Sequence, residues 1–146
     1  MNKVTIDNQI LRILDANLNR LREALRVMEE YFRFFSLHEN SAKTLKLLRH
    51  SLEDIEGLLG AKELVLSRDT STDPFAFVSR PEELSRADAG QILTANFKRA
   101  QEGARVIEEY AKVLDTIGDR VSGSAKALRF GLYDLEKEAM EQQLHE

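Results

Sequence analysis

The chain has 146 residues, of which 42% are hydrophobic and 32% charged, and a formal net charge of −4 at pH 7. This composition excludes general disorder, and the absence of cysteine excludes disulfides and thiolate zinc sites. The acidic balance gives no global field for nucleic acid, while a local cationic pocket for a small anion stays open.

From about residue 6 to residue 35, Ile10, Ile13, Leu14, Leu18, Leu21, Leu25, Met28, Phe32 and Phe35 keep helical spacing, with neither Gly nor Pro between them. Asn40 or Ser41 is the expected cap of a second helix. Leu45, Leu48, Leu52, Ile55 and Leu59 line its face until Gly57 and Gly60 weaken it. These two elements read as an antiparallel hairpin.

Between Gly60 and Pro81 the chemistry changes. Leu64-Val65-Leu66 fits a short extended piece, and Ser67-Arg68-Asp69-Thr70-Ser71-Thr72-Asp73-Pro74 marks a loop. Phe75, Phe77 and Val78 are expected to anchor that loop to the body. Ser79 with Pro81 opens a short turn or helix leading to Ala87-Asp88. A long helix follows from about Ala89 to Ile117, Gly118-Asp119 is a plausible break, and a last helix runs from about Ser122 to Gln142.

Much of the chain occurs twice. Ile13-Leu14-Asp15-Ala16-Asn17-Leu18-Asn19-Arg20 continues through Glu23, Arg26 and Val27 to Glu29-Glu30-Tyr31. Ile92-Leu93-Thr94-Ala95-Asn96-Phe97-Lys98-Arg99 continues through Glu102, Arg105 and Val106 to Glu108-Glu109-Tyr110, 79 residues on. Leu48-Arg49, Leu52, Asp54 and Glu56 return as Leu128-Arg129, Leu132, Asp134 and Glu136 at an offset of 80. Each half is therefore a helical hairpin. The expected fold is all-α: one domain over residues 1–146, a four-helix-type bundle of two duplicated hairpins. Repeat 1 spans about residues 6–59, a functional connecting loop 60–80, and repeat 2 about 81–143.

What repeats includes polar residues that a core does not need. Asn17 with Arg20 and Asn96 with Arg99 stand inside helices, where Asn is a middling helix former, so the pairs suggest a specific interaction. Surface ion pairs among Arg20, Glu23, Arg26 and Glu30 and their counterparts, preserved by duplication, explain the same pattern. Arg49 and Arg129 likewise fit bundle-edge ion pairs. In the loop, Arg68, Thr70 and the neighbouring hydroxyls supply phosphate donors, and Asp69 and Asp73 are hard oxygen ligands suited to Mg²⁺; a polar loop capped by Asp is the plainer alternative. No Gly-rich phosphate loop followed by Lys-Ser/Thr is present. His38, His50 and His145 are assigned no catalytic role. No apolar run approaches a membrane span and no signal-peptide core follows Met1-Asn2-Lys3, so a cytoplasmic protein without membrane or nucleic-acid partners is expected.

Arg12-Ile13-Leu14-Asp15-Ala16-Asn17-Leu18-Asn19-Arg20-Leu21-Arg22-Glu23, Leu48-Arg49-His50, Arg68-Asp69-Thr70, and Arg86-Ala87-Asp88 ahead of Ala95-Asn96-Phe97-Lys98-Arg99 carry a family resemblance. They resemble the all-helical domain found in front of some bacterial thiamine-phosphate synthases, a family regarded as an alternative hydroxymethylpyrimidine phosphate kinase. The resemblance covers roughly Arg12 to Leu114. It implies ATP-dependent phosphorylation of 4-amino-5-hydroxymethyl-2-methylpyrimidine phosphate to the pyrophosphate, with ATP and Mg²⁺ as cofactors. It places phosphate oxygens against Arg68, Arg20 and Arg99, with Arg49 or Arg129 as a further clamp. Asp69, and secondarily Asp73, would orient the metal. Asn17 and Asn96 would meet the aminopyrimidine edge, and Glu23 or Glu102 would fix the arginines. Two other classes of function fit the same residues. One is a non-catalytic pyrimidine-phosphate or phosphate binding module partnering a thiamine-phosphate synthase. The other is a helical adaptor that forms a homodimer through the mirrored polar face.

Overall fold

The computed structural model describes residues 7–144; the expected first-helix start at Ile6, and His145, lie outside the described residues. Helix α1 spans Asn8–Glu30, α2 Glu39–Leu59, α3 Ala61–Leu66, α4 Ala89–Tyr110 and α5 Gly118–Leu144, with no strand among the described residues. The fold is all-α. Asp7 caps α1 by accepting from the amides of Gln9 and Ile10, and Asp88 caps α4 by accepting from Gln91, so both central helices start on an aspartate. Helix α1 packs along α4, α2 lies beside α1, α5 beside α4, and α2 touches α5.

The apolar stripes explain this order. Leu14, Leu18, Leu21 and Leu25 of α1 and Leu93, Phe97, Ala104 and Ile107 of α4 are all buried, joined by Leu45, Leu52 and Ile55 of α2 and Leu128 and Leu132 of α5. The two buried glutamates of this core are held by arginines at mirrored places. Arg49 of α2 grips Glu29 of α1 (Nε–Oε2 3.1 Å), and Arg129 of α5 grips Glu108 of α4 (2.9 Å). Each pair ties one long helix to its sequence neighbour.

Several boundaries depart from the sequence reading. The first helix stays α-helical only to Glu30, and Tyr31–Phe35 form a π-helical turn in which the Ser36 amide donates to the Tyr31 carbonyl. Leu37 then takes a left-handed conformation (φ 59°), which reverses the chain so that α2 begins directly after His38. Asn40 and Ser41, expected as caps, therefore lie inside α2. Leu64-Val65-Leu66 is helical rather than extended, because Gly60 (φ 96°) turns the chain and restarts it as α3. The long second-repeat helix ends at Tyr110, with one 3₁₀ turn over Ala111–Val113, instead of running to Ile117. Gly118 opens α5 instead of breaking it. A Cβ there would come within 2.7 Å of the Ala111 carbonyl oxygen.

Phe75, Phe77 and Val78 do not anchor the loop. They are exposed, Phe77 by 93%. The four long helices satisfy one another's apolar faces, and no described residue between Leu64 and Leu93 joins the core. Pro81 does sit at the start of a 3₁₀ turn, Pro81–Glu83, as its fixed φ favours.

Gly57 lies in α2 with nothing within 4 Å of where a Cβ would stand. Gly57→Ala is accordingly expected to stabilise the protein by roughly 0.5–1 kcal/mol. The check is a higher urea midpoint at unchanged slope.

Candidate functional site: a cationic groove between the duplicated helices

Burying the apolar stripes of α1 and α4 against each other leaves their polar rows side by side at one edge. Asn17 is 5% exposed; its Nδ2 donates to the Ile13 carbonyl at 2.9 Å and its Oδ1 accepts from Arg20 Nη1 at 3.4 Å. Asn96 repeats the first bond, to the Ile92 carbonyl at 2.8 Å. The side-chain amides therefore serve their own helices.

Asn17 and Arg20 of α1 face Ala95, Lys98, Arg99, Glu102, Gly103 and Val106 of α4 across a cavity of about 560 Å³. A second cavity, of about 420 Å³, continues from the same Asn17 and Arg20 toward the loop. Its walls are Gln9, Arg12, Ile13 and Ala16 of α1, closed by Thr72, Asp73 and Pro74. Both fall within the size range of small-molecule sites, about 300–1,000 Å³.

The charges around this groove are unevenly matched. Arg22 pairs with Glu56, Arg26 with Glu30, Arg105 with Glu109 and Lys98 with Glu136, while Arg12 donates to the Asp69 carbonyl. Arg20 has only its long bond to Asn17. Arg99 makes no hydrogen bond or ion pair with any described residue, even though Glu102 borders the same cavity. Among the described residues the two mirrored arginines in the groove are thus the α1 and α4 arginines that are bonded to neither a carboxylate nor a backbone carbonyl. Guanidinium groups arranged in this way suit a phosphate.

The loop residues take other positions. Arg68 is bound by both oxygens of Asp15 (Nε–Oδ2 2.7 Å, Nη2–Oδ1 3.1 Å), and Asp15 is 4% exposed. This hydrogen bond, ahead of the opposing effect of desolvation, pushes the Arg68 pKa above its ordinary value. Asp69 accepts from the Ser71 hydroxyl at 2.6 Å, and that bond, with the help of Thr72, holds its carboxyl below the usual range. Neither Arg68, Asp69 nor Thr70 borders either cavity, and Arg68 works as the pin that fastens the loop to α1.

Of the residues singled out in the sequence, Asn17, Arg20, Arg99 and Glu102 come together around one cavity, and Asp73 joins Asn17 and Arg20 at the other. Arg49 and Arg129 are engaged by Glu29 and Glu108. Glu23 is exposed, and it and Asn96 lie outside both cavities. Lys98, Ala95 and Ala16 line the cavities and Asp15 holds Arg68, and none of the four was singled out as a site residue in the sequence. Asp15 carried a usable signal: it stands in register with Leu11, Leu14 and Leu18 on the buried face, where a carboxylate needs a cation. Another cavity, of about 380 Å³, lies at the α1–α2 turn, where Lys43 is paired with Glu39 at 2.8 Å and Arg33 sits over the Phe34 ring.

Among the described residues no group of three or more carboxylate or imidazole side chains could hold a metal by itself. Asp73 Oδ1 accepts from the Phe75 amide at 2.8 Å, and Asp73 lines the loop-side cavity. Mg²⁺ is commonly held by one or two carboxylates completed by substrate phosphates and water, so a single carboxylate is compatible with it.

If Asp15 pins the loop, Asp15→Ala should speed amide exchange over residues 67–73 by about tenfold or more and leave the centre of α4 protected. Hydrogen–deuterium exchange with peptide mapping reads this directly.

Residues 12–138 match the model of one protein family. The chain belongs to the ThiD2 family. Among its relatives is a thiamine-phosphate synthase of Thermosynechococcus vestitus, 45% identical over 129 residues, which cover 88% of this chain and 35% of that protein. Similar proteins of the same name occur in Parasynechococcus marenigrum (39% over 132 residues, 90% of this chain and 36% of the relative) and Nostoc punctiforme (37% over 144 residues, 99% and 39%). The chain thus spans little more than a third of the length of these relatives. No solved structure shows significant similarity. No helix among the described residues is long and apolar enough to cross a membrane.

Proposed function

We propose that this ThiD2-family chain transfers the γ-phosphoryl group of ATP to the phosphate of 4-amino-5-hydroxymethyl-2-methylpyrimidine phosphate, as a step of thiamine biosynthesis. The observation that carries the reading is the mirrored pair Arg20 and Arg99, left without carboxylate partners beside one cavity. The names of the relatives support the biosynthetic setting.

In this reaction the acceptor is itself a phosphate. One of its anionic oxygens forms a bond to the γ-phosphorus, the bond from that phosphorus to the β–γ bridging oxygen breaks, and ADP departs. The attacking oxygen carries no proton, so no general base is needed. What the protein supplies is positioning and neutralisation of two polyanions. Arg20 and Arg99 donate to phosphate oxygens, and Asn17 orients Arg20. Asp73, which lines a cavity together with Arg20, is the residue we assign to Mg²⁺, which would supply charge neutralisation where the two phosphates meet.

The test is product formation from Mg-ATP and the pyrimidine phosphate, followed by phosphorus NMR. A new pyrophosphate that vanishes in Arg20→Ala supports the reading. Folded protein that gives no product, yet is raised in melting temperature by the pyrimidine phosphate, supports instead a non-catalytic binding module serving a synthase. The fusion of the relatives' matching segment to a longer synthase chain favours that second reading. A change in oligomer mass in Arg20→Ala/Arg99→Ala, without ligand binding by the unaltered chain, would point to the dimerising adaptor.

A further inference from the structure

The two cavities meet at one wall, since Asn17 and Arg20 border both. Their remaining walls differ in kind. On the helix side Arg99 has no partner among the described residues, Arg20 has only Asn17, Lys98 is paired with Glu136 at 3.3 Å, and Glu102 is the one carboxylate in the wall. On the loop side Ile13, Ala16 and Pro74 present apolar surface, Arg12 is turned to the Asp69 carbonyl, and Asp73 is the carboxylate assigned to Mg²⁺. A chain of phosphates is stabilised in the first setting and poorly matched in the second. A flat, uncharged heteroaromatic ring is the reverse.

We infer that the helix-side cavity receives the phosphate chain of the nucleotide and the loop-side cavity the pyrimidine ring of the acceptor, with Arg20 between them where the two phosphates meet. This division rests on the kinase reading and adds to it a separate place for each substrate. It also gives a reason for the asymmetry of the duplicated frame. Asp15 of repeat 1 binds Arg68 and so brings the loop over α1, whereas repeat 2 has Thr94 at the matching position and leaves its side of the groove open.

The duplication supplies a matched pair of probes. Ala16 and Ala95 occupy equivalent positions, 79 residues apart. Each is half-buried, and Ala16 lines the loop-side cavity while Ala95 lines the helix-side one. Leucine at either place fills its cavity without penalising the helix. Titration calorimetry of the full chain with ADP and with the pyrimidine phosphate is the experiment. Ala16→Leu is expected to weaken the pyrimidine phosphate about tenfold or more and change ADP less than about threefold; Ala95→Leu is expected to do the opposite. The unaltered chain saturated with pyrimidine phosphate should still bind ADP, a measurement that needs no variant to fold. Exchanged effects, equal effects on both ligands, or mutually exclusive binding would overturn the division while leaving a kinase. No ADP binding by the unaltered chain would overturn the kinase reading and the division together.

Discussion

Arg20→Ala is expected to lower kcat/KM for phosphoryl transfer by about 10²–10³, the loss typical of one preorganised donor to developing negative charge, or roughly 3–4 kcal/mol. Arg20 borders both cavities and its own support is a single long bond to Asn17, so its removal costs the fold little. The melting temperature should therefore stay within about 2 °C of the parent. Arg99 borders only the helix-side cavity, and Arg99→Ala should act mainly by raising the KM for ATP. Arg20→Lys should recover only part of the loss, because an ammonium replaces the charge and not the forked donor geometry. Steady-state kinetics beside circular dichroism melting decides the matter. Unchanged kcat/KM in Arg20→Ala would remove the groove from the chemistry.

The second large effect concerns stability. Glu108 is buried, and the side chain of its partner Arg129 is only 14% exposed. Glu108→Ala leaves that guanidinium without its carboxylate, and a loss of about 3 kcal/mol is expected. In a domain of this size that corresponds to roughly 6–12 °C in melting temperature. Glu29→Ala should cost less, since Arg49 is 26% exposed and regains water more easily. Substituting both members of the pair, Glu108→Leu with Arg129→Met, should recover much of the loss, because no unmatched charge then remains.

Glu108 also sets a dependence on pH. Burial pushes its carboxyl up, but the Arg129 hydrogen bond and the charges of Arg129, Arg105 and Lys112 outweigh burial and hold it below the usual carboxylate range. A carboxyl lowered on folding contributes stability that is complete above its unfolded value, near pH 4.3, and is lost as pH falls through the folded value. Unfolding free energy measured from pH 6 downward should fall more steeply for the parent chain than for Glu108→Gln below about pH 4.3.

The long helices were legible because their signal is local: Leu14, Leu18, Leu21 and Leu25 announce a buried stripe without reference to the rest of the chain. Leu64-Val65-Leu66 was misread for the converse reason, as three apolar residues fit a strand or a helix turn equally well until Gly60 is seen to redirect the backbone. The groove was legible in part because the duplication repeated Asn17 and Arg20 as Asn96 and Arg99, and polar residues seldom recur without use. The roles of Arg68 and Arg20 were not separable in one dimension. Both are arginines near hydroxyls or amides; what divides them is that Asp15, 53 residues before Arg68, reaches it in space, while nothing comparable reaches Arg20. The fate of Phe75 and Phe77 was likewise a question of whether any apolar surface remained uncovered after the helices had packed.

No described residue between Ser67 and Asp88 joins the core, while each Glu–Arg clamp lies wholly on one side of that segment. Peptide-bond continuity across that segment therefore matters chiefly by keeping two halves at high effective concentration. The molecule is in this sense a heterodimer that happens to be encoded on one strand of polypeptide. A chain cut within the segment has all the surfaces it needs to reassemble from separate pieces.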